Sequence, residues 1–140
     1  MVIARDRLML VLPSNHPKAH APKVALQDVV EERFIQFSME KSINLHRHVA
    51  ELWARAGLVP HDLQIGEGGL PILALVAGGF GNAILPGLLS EIQMPNVVWK
   101  PIDVNEQWTS SSIVMLYRVD ERNEKVQSRF VDYVRRFCCE

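Results

Sequence analysis

Two glycine-rich segments are the parts of the sequence whose composition best suits ligand binding. Residues 66–69 read GEGG, and residues 78–81 read GGFG. A glycine-rich loop that leads from a strand into a helix lets an anion approach the free N–H groups of the helix N-terminus. The segment 78–81 has the reverse order, helix before strand, so the negative end of a helix dipole faces it, and we predict a tight turn there. We therefore select Gly66 and Gly68 as candidate ligand contacts and leave out Glu67, whose charge would repel an anion.

Serines that follow a predicted strand form the second part of the candidate site. Ligands of open α/β sheets bind beyond the carboxyl ends of the strands, and Ser38 and Ser42 come directly after the predicted strand 33–37. Their hydroxyls and the N–H groups at the start of the next helix suit a carboxylate, with Ile43 and Leu45 as apolar walls. Ser42 has a second interpretation, in which it only caps that helix.

The histidines and cysteines do not form a recognisable metal or catalytic site. His46 and His48 stand two residues apart on a predicted helix and point to different faces, and we expect all five histidines to be solvated. Cys138 and Cys139 are adjacent near the end of the chain, which excludes a disulfide framework. No G-x-S-x-G or H-E-x-x-H motif occurs, so we predict no catalytic residue, no metal and no cofactor. A small α/β enzyme built from scattered serines, histidines and acids remains an alternative.

Length and charge restrict the possible functions further. The chain has 140 residues, a net charge of −1 and a pI near 6.5, which suits one domain without the clustered positive face that nucleic acid requires. No apolar run reaches the roughly 18 residues of a membrane span. The N-terminus does not read as a signal peptide, because charges at Asp6 and Arg7 interrupt its apolar run. We therefore expect a cytoplasmic protein without a membrane partner.

The hydrophobic periodicity predicts strands that alternate with helices. This order predicts an α/β fold with a largely parallel sheet. The helix at 71–77 is apolar on every side, so we expect it to be buried all round. The predicted strands are 7–13, 33–37, 62–65, 82–85, 97–102 and 111–119, and the predicted helices are 24–31, 42–56, 71–77, 86–92 and 123–137.

Several motifs, in this order and spacing, resemble one protein family. A His-Pro pair at 16–17 is followed by FIQF at 34–37, by a helix that ends in AGLVP at 56–60, and by LVAGGFGNAILP at 75–86. The sequence is similar to the effector-binding, or substrate-binding, domain of LysR-type transcriptional regulators. That family carries a segment of the form V-A-A-G-x-G-(I/V)-A-x-L-P, which this chain matches at Val76, Ala77, Gly79, Gly81, Ala83, Leu85 and Pro86.

Two residues depart from that family pattern. Gly78 and Asn82 stand where alanine and an aliphatic residue are usual. Asn82 either forms a hydrogen bond with a neighbouring loop or faces a ligand cleft, and the first is favoured because buried polar groups need partners.

The resemblance implies a periplasmic-binding-protein-like (type 2) two-lobed fold and a regulatory function in bacteria. Residues 14–110 resemble a complete second lobe, and 1–13 with 111–140 resemble parts of the first lobe. A small organic effector, most simply an anion, is expected in the cleft between lobes, with Ser111 at the crossing between lobes as a further contact. Nothing in the chain resembles the family's winged helix-turn-helix, so DNA binding is expected only through such a domain.

The resemblance also implies self-association and leaves two rival functions. Unpaired sheet edges and an apolar stripe on the last predicted helix favour a dimer or a higher assembly. The rivals are a stand-alone solute-binding protein of the same fold and a truncated product without activity. The apolar stripe comprises Val126, Phe130, Val134 and Phe137.

Overall fold

The chain forms two compact units, which are described separately. The computed structural model describes residues 1–117 and 124–138. The larger unit is Arg7–Ser110, and the smaller one combines Met1–Asp6 with Ser111–Glu140. The division after Asp6 differs from the division after residue 13 that the family resemblance implies. The reason is that residues 8–12 are buried in the larger unit, where they pair with two other strands.

The order of elements follows the predicted alternation of strands and helices. In chain order they are β1 (Val2–Pro13), a 3-10 helix (Leu26–Asp28), β2 (Arg33–Phe37), α1 (Ile43–Arg55), β3 (Asp62–Gly66), α2 (Gly69–Ala77), β4 (Ala83–Pro86), a second 3-10 helix (Gly87–Glu91), β5 (Val97–Lys100), α3 (Glu106–Thr109), β6 (Ser110–Val114) and α4 (Glu124–Cys138).

The pairing of the strands is mixed, so the expectation of a largely parallel sheet is wrong. β2 and β3 pair in parallel, and an isolated parallel bridge joins Phe34 to Asn82 beside β4. β1, however, pairs in the antiparallel sense with both β4 and β5. A helical crossover such as α1 fixes the parallel direction of the strands that it joins. β1 is joined to neither β4 nor β5 by a single helical crossover, so the alternation of elements could not predict the direction of that strand.

Alternate residues of β1 face two separate apolar cores of the larger unit. Leu8, Leu10 and Leu12 pack in a cluster that includes Leu52 and Trp53 of α1. Val11 points the other way, into a cluster with residues of α2 and β4. The sheet is therefore covered on one face by α1 and on the other by α2, which fixes the start of each helix at the sheet edge.

α2 is buried on one side only, which corrects the expectation that it is buried all round. Ile72, Leu73 and Val76 are fully buried, but Leu70 is 55% exposed and Leu75 is 37% exposed. The buried residues recur at positions that share one face of the helix, and this face packs on the sheet.

The smaller unit contains the start of β1, β6 and α4. β6 pairs with β1, and Met1 and Met115 exchange backbone hydrogen bonds of 3.1 and 2.8 Å. The predicted strand 111–119 and helix 123–137 extend partly outside the described residues. Val131 of α4 is buried, whereas the large hydrophobic side chains that the same helix exposes are Val126, Phe130, Tyr133 and Phe137. Among the described residues, no helix is long and apolar enough to cross a membrane.

Candidate functional site

The carboxyl ends of β2 and β3 bring the two predicted ligand-binding segments together. The strands pair in register, with Phe37 opposite Gly66 at their ends. The loop that follows β2 leads into α1, and the loop that follows β3 leads into α2. Two helices therefore begin side by side at one sheet edge, and the first N–H groups of each helix have no partner within the helix. An anion at this edge can accept hydrogen bonds from both.

The two serines of the first loop use their polar groups differently. The Ser38 hydroxyl accepts a hydrogen bond of 3.3 Å from the Lys41 N–H, and the Ser38 carbonyl accepts one of 3.1 Å from the Ser42 N–H. Ser42 is the N-cap residue of α1, but its side chain makes no capping hydrogen bond. The interpretation of Ser42 as a simple side-chain cap is therefore wrong, and a contact between its hydroxyl and a ligand stays a prediction.

The two predicted apolar walls differ in exposure. Ile43 is 61% exposed at the first position of α1. Leu45 is partly buried, because it packs against the core on the α1 side of the sheet. Ile43 therefore presents the larger apolar surface to a ligand at this edge.

The two predicted glycine contacts are required for different structural reasons. Gly68 has a φ of +132°, which side chains rarely tolerate, and its carbonyl accepts the Ile72 N–H at 3.1 Å to begin α2. Gly66 is buried, and a Cβ at this position would overlap the Ile72 side chain. The expectation that Gly66 opens the backbone to a ligand therefore lacks support in its surroundings, because Ile72 fills the space.

An ion pair that sequence reasoning missed joins the two loops. Lys41 Nζ lies 2.7 Å from Glu67 Oε2, with the two side chains 58% and 71% exposed. The hydrogen bond from Lys41 lowers the pKa of Glu67. The charge of Glu67 alone would repel an anion, yet Lys41 balances that charge within the site. The only signal for the pair in the sequence is that both residues lie a few positions beyond paired strand ends.

Ser111 lies in β6, in the smaller unit, and is partly buried. The other six predicted contact residues all belong to the larger unit. A role for Ser111 in ligand binding stays a prediction.

Asn82 lies at the opposite, amino-terminal end of β2 and bonds to a neighbouring segment. Its side chain is 3% exposed and donates a hydrogen bond of 2.5 Å from Nδ2 to Glu32 Oε2. The same carboxylate oxygen lies 2.8 Å from His16 Nε2, and His16 Nδ1 accepts the Lys18 N–H at 3.0 Å. Since Nδ1 accepts, the imidazole proton lies on Nε2 and points to Glu32. The favoured of the two interpretations of Asn82 is thus confirmed.

Three histidines contradict the expectation that all five are solvated. The side chain of His16 is only 9% exposed. His46 and His48 are half-buried and contact backbone carbonyls, with His48 Nε2 lying 2.9 Å from the Trp108 oxygen. In each ring, one nitrogen lies close to an oxygen from another part of the chain. The residues next to each histidine in the sequence do not reveal this contact.

A cavity of about 310 Å³ lies at the amino-terminal end of β2. Its wall includes Gly79, Phe80 and Gly81 of the 78–81 turn, which confirms that this glycine-rich segment lies away from the edge where the two helices begin. The residues that line this cavity are Pro13, His16, Glu32, Arg33, Gly79, Phe80, Gly81 and Asn82.

Within the described part of the chain, no group of three or more histidine, cysteine, aspartate or glutamate side chains is arranged to hold a metal ion.

Solved structures with the same fold include two effector-binding domains in complex with carboxylic acids. The effector-binding domain of QuiR in complex with shikimate superposes with a TM-score of 0.76 at 19% identity, covering 98% of this chain and 65% of that one. The BenM effector-binding domain with its effector benzoate superposes with a TM-score of 0.70 at 20% identity, covering 99% of this chain and 64% of that one. At these identities the likeness shows the fold alone.

Sequence comparison gives the family. An uncharacterized HTH-type transcriptional regulator of Escherichia coli K12, YnfL, is 33% identical over 112 residues, which are 76% of this chain and 37% of that protein. The chain thus spans well under half the length of this curated relative. The family model of the LysR substrate binding domain matches residues 1–139. The chain therefore belongs to the LysR substrate-binding domain family and has its periplasmic-binding-protein-like, mixed α/β fold.

Proposed function

We propose that this chain senses a small organic anion at the edge formed by the carboxyl ends of β2 and β3. The observation that carries the proposal is the convergence of two helix N-termini on the Phe37–Gly66 pair. The Ser42 hydroxyl, which does not cap its helix, and the exposed wall of Ile43 lie at the same edge. Two solved relatives hold benzoate and shikimate, whose carboxylates are the kind of group this edge can bind.

The proposed binding event controls transcription only within a longer regulator. The ligand would stabilise one arrangement of the effector domain, and that preference would pass to DNA-binding domains such as those of the HTH-type relatives. The chain itself binds ligand rather than DNA and has no catalytic step in this proposal. Since operator DNA lies in the bacterial cytoplasm, the proposal implies that the protein acts there.

Self-association through α4 is part of the same proposal. Phe130 and Phe137 are 59% and 70% exposed on one stripe of that helix, together with Val126 and Tyr133. Apolar surface of this kind is stabilised when a second molecule covers it. Multi-angle light scattering at micromolar concentration should give a dimer or a larger species, and a monomer across the accessible concentration range would contradict this part of the proposal.

A thermal-shift titration with carboxylic acids tests the binding function. Benzoate and shikimate are the first ligands, with dicarboxylates and amino acids next, and benzamide is the control that lacks the charge. A ligand present at about 100 times its dissociation constant should stabilise the fold by about 2.7 kcal/mol. The absence of a shift with any acid, or equal shifts with benzoate and benzamide, would contradict binding of an anion.

A further inference from the structure

We propose that Glu67 is a built-in competitor of the ligand, so that the incoming carboxylate takes the position beside Lys41 that the Glu67 carboxylate occupies in the free protein. This inference rests on the proposed function. It extends that function by naming a residue that sets affinity and the charge class of the ligand.

The ion pair lies in the centre of the candidate site. Lys41 stands between Ser38 and Ser42 in one loop, and Glu67 stands between two glycines in the other. The 2.7 Å contact between Lys41 Nζ and Glu67 Oε2 spans the two loops. A carboxylate that reaches both helix N-termini therefore meets a lysine that already has an anionic partner.

The exposure of the pair makes the exchange feasible. The side chains of Lys41 and Glu67 are 58% and 71% exposed. Exposed ion pairs contribute little to stability because water solvates the separated charges nearly as well as the pair. A ligand carboxylate offers Lys41 the same charge that Glu67 offered, and the released Glu67 remains in water. Breaking the exposed pair therefore costs little free energy. The ligand nevertheless binds more weakly than it would without Glu67, because Glu67 competes for the same lysine.

The charges around the pair favour a monocarboxylate over a dicarboxylate. Besides Lys41, the two loops carry the acids Glu40, which is exposed, and Glu67. After the exchange, Lys41 balances one negative group of the ligand, and a second negative group would face both acids. Repulsion between charges a few ångströms apart is significant even in water. The exposed Ile43 beside the loops suits an uncharged body on the same ligand.

Calorimetric titrations of four proteins test this inference. The wild type, Glu67→Gln, Lys41→Gln and the control Glu51→Gln are each titrated with benzoate, shikimate and acetate. Glu51 is an exposed acid of α1 outside the two loops. Glu67→Gln should bind at least one of these monocarboxylates about threefold to tenfold more tightly than the wild type, and Lys41→Gln should bind it more weakly by a similar factor. Glu51→Gln should stay within about twofold of the wild type. Phthalate, a dicarboxylate of similar shape to benzoate, should bind more weakly than benzoate to the wild type.

The outcomes separate this inference from the proposed function. Binding to the wild type without a gain in Glu67→Gln would overturn the role of Glu67 and leave the ligand-binding function standing. Binding to Glu67→Gln but not to the wild type would support the competition and contradict sensing by the native chain. The absence of binding to both proteins would overturn both. Circular dichroism checks that each variant is folded, which is expected because both side chains of the pair are exposed.

Discussion

The two ends of β2 each hold a carboxylate, and the two carboxylates are held in different ways. At the amino-terminal end, Glu32 receives hydrogen bonds from Asn82, which is buried, and from His16, whose side chain is 9% exposed. At the carboxyl end, Glu67 pairs with one exposed lysine. The first arrangement depends on two largely buried donors, although the Glu32 side chain itself is 40% exposed, and loss of Glu32 would leave the buried Asn82 amide without this partner. The second is exposed to water on both sides of the pair, which is why we propose that a ligand can replace it.

The segment 75–86, which carries the family resemblance, and the proposed ligand site lie at opposite ends of β2. The glycine-rich turn of the LVAGGFGNAILP segment borders the cavity at the amino-terminal end, beside Asn82. The loops that begin α1 and α2 lie at the other end of the same strand. The segment that carries the family resemblance therefore lies away from the proposed ligand site.

Gly66→Ala should have the largest effect on stability and would show how tightly the carboxyl end is packed. The new Cβ would overlap the fully buried Ile72, so we expect the unfolding free energy to fall by about 2 to 3 kcal/mol. Gly78→Ala is the control, because its backbone φ is −76° and the nearby Phe80 is exposed and can move. Urea denaturation measures both, and equal small effects would show that Gly66 is not constrained by packing.

Asn82→Ala should have the next largest effect, at the amino-terminal end. It removes the donor to Glu32 from a buried position, and we expect the unfolding free energy to fall by about 1 to 2 kcal/mol. The matched control is Asn44→Ala, which removes an exposed bond to Arg47 and should change stability by less than about 0.5 kcal/mol. If both variants were equally stable, the hydrogen bond from Asn82 to Glu32 would contribute no more to stability than an exposed bond does.

Ser42→Ala should leave stability almost unchanged and weaken ligand binding. Loss of a serine cap normally costs about 1 kcal/mol, but the Ser42 side chain makes no capping bond, so we expect a change below about 0.5 kcal/mol. Affinity for a bound carboxylate should fall by about threefold to tenfold, because one hydrogen-bond donor is lost. A fall of about 1 kcal/mol in the unfolding free energy with unchanged ligand affinity would show that Ser42 acts only as a helix cap.

Acid should give the smallest effect, through two exposed ion pairs. Hydrogen bonds from Arg33 and Lys41 lower the pKa values of Asp62 and Glu67 in the folded state. A carboxyl with a depressed pKa stabilises the fold above its unfolded pKa, and this contribution is lost as pH falls through the folded pKa. Stability should therefore decline gently below about pH 4.5. The double variant Asp62→Asn/Glu67→Gln should decline less steeply in urea denaturation at pH 6 and below, and an identical slope would contradict the contribution of these pairs.

The local part of the fold is predictable from the sequence, whereas its long-range contacts are not. The strand 33–37 and the start of α1 after Ser42 follow from periodicity and turn signals, and both match the structure. β1 begins at Val2, five residues before the prediction at Arg7, because strand pairing rather than an apolar run sets its start. Its antiparallel direction depends on the strands beside it.

The candidate site shows the same limit. Ser38, Ser42 and Gly68 lie at the predicted edge because each follows a strand or begins a helix. The pairing of Lys41 with Glu67 depends on the register between β2 and β3, which no local pattern encodes. The burial of Gly66 depends on the packing of Ile72 of α2, which no pattern in the Gly66 loop reveals.

Chemical-shift mapping of a bound carboxylate locates the ligand site on the protein directly. A ¹⁵N-labelled sample is titrated with the tightest-binding acid from the thermal-shift screen, or with benzoate where none stands out. We expect the largest amide shifts in residues 38–45 and 66–70, at the carboxyl ends of β2 and β3. Shifts centred on Phe80 and Asn82, at the opposite end of β2, or no shifts at saturating acid, would contradict this expectation.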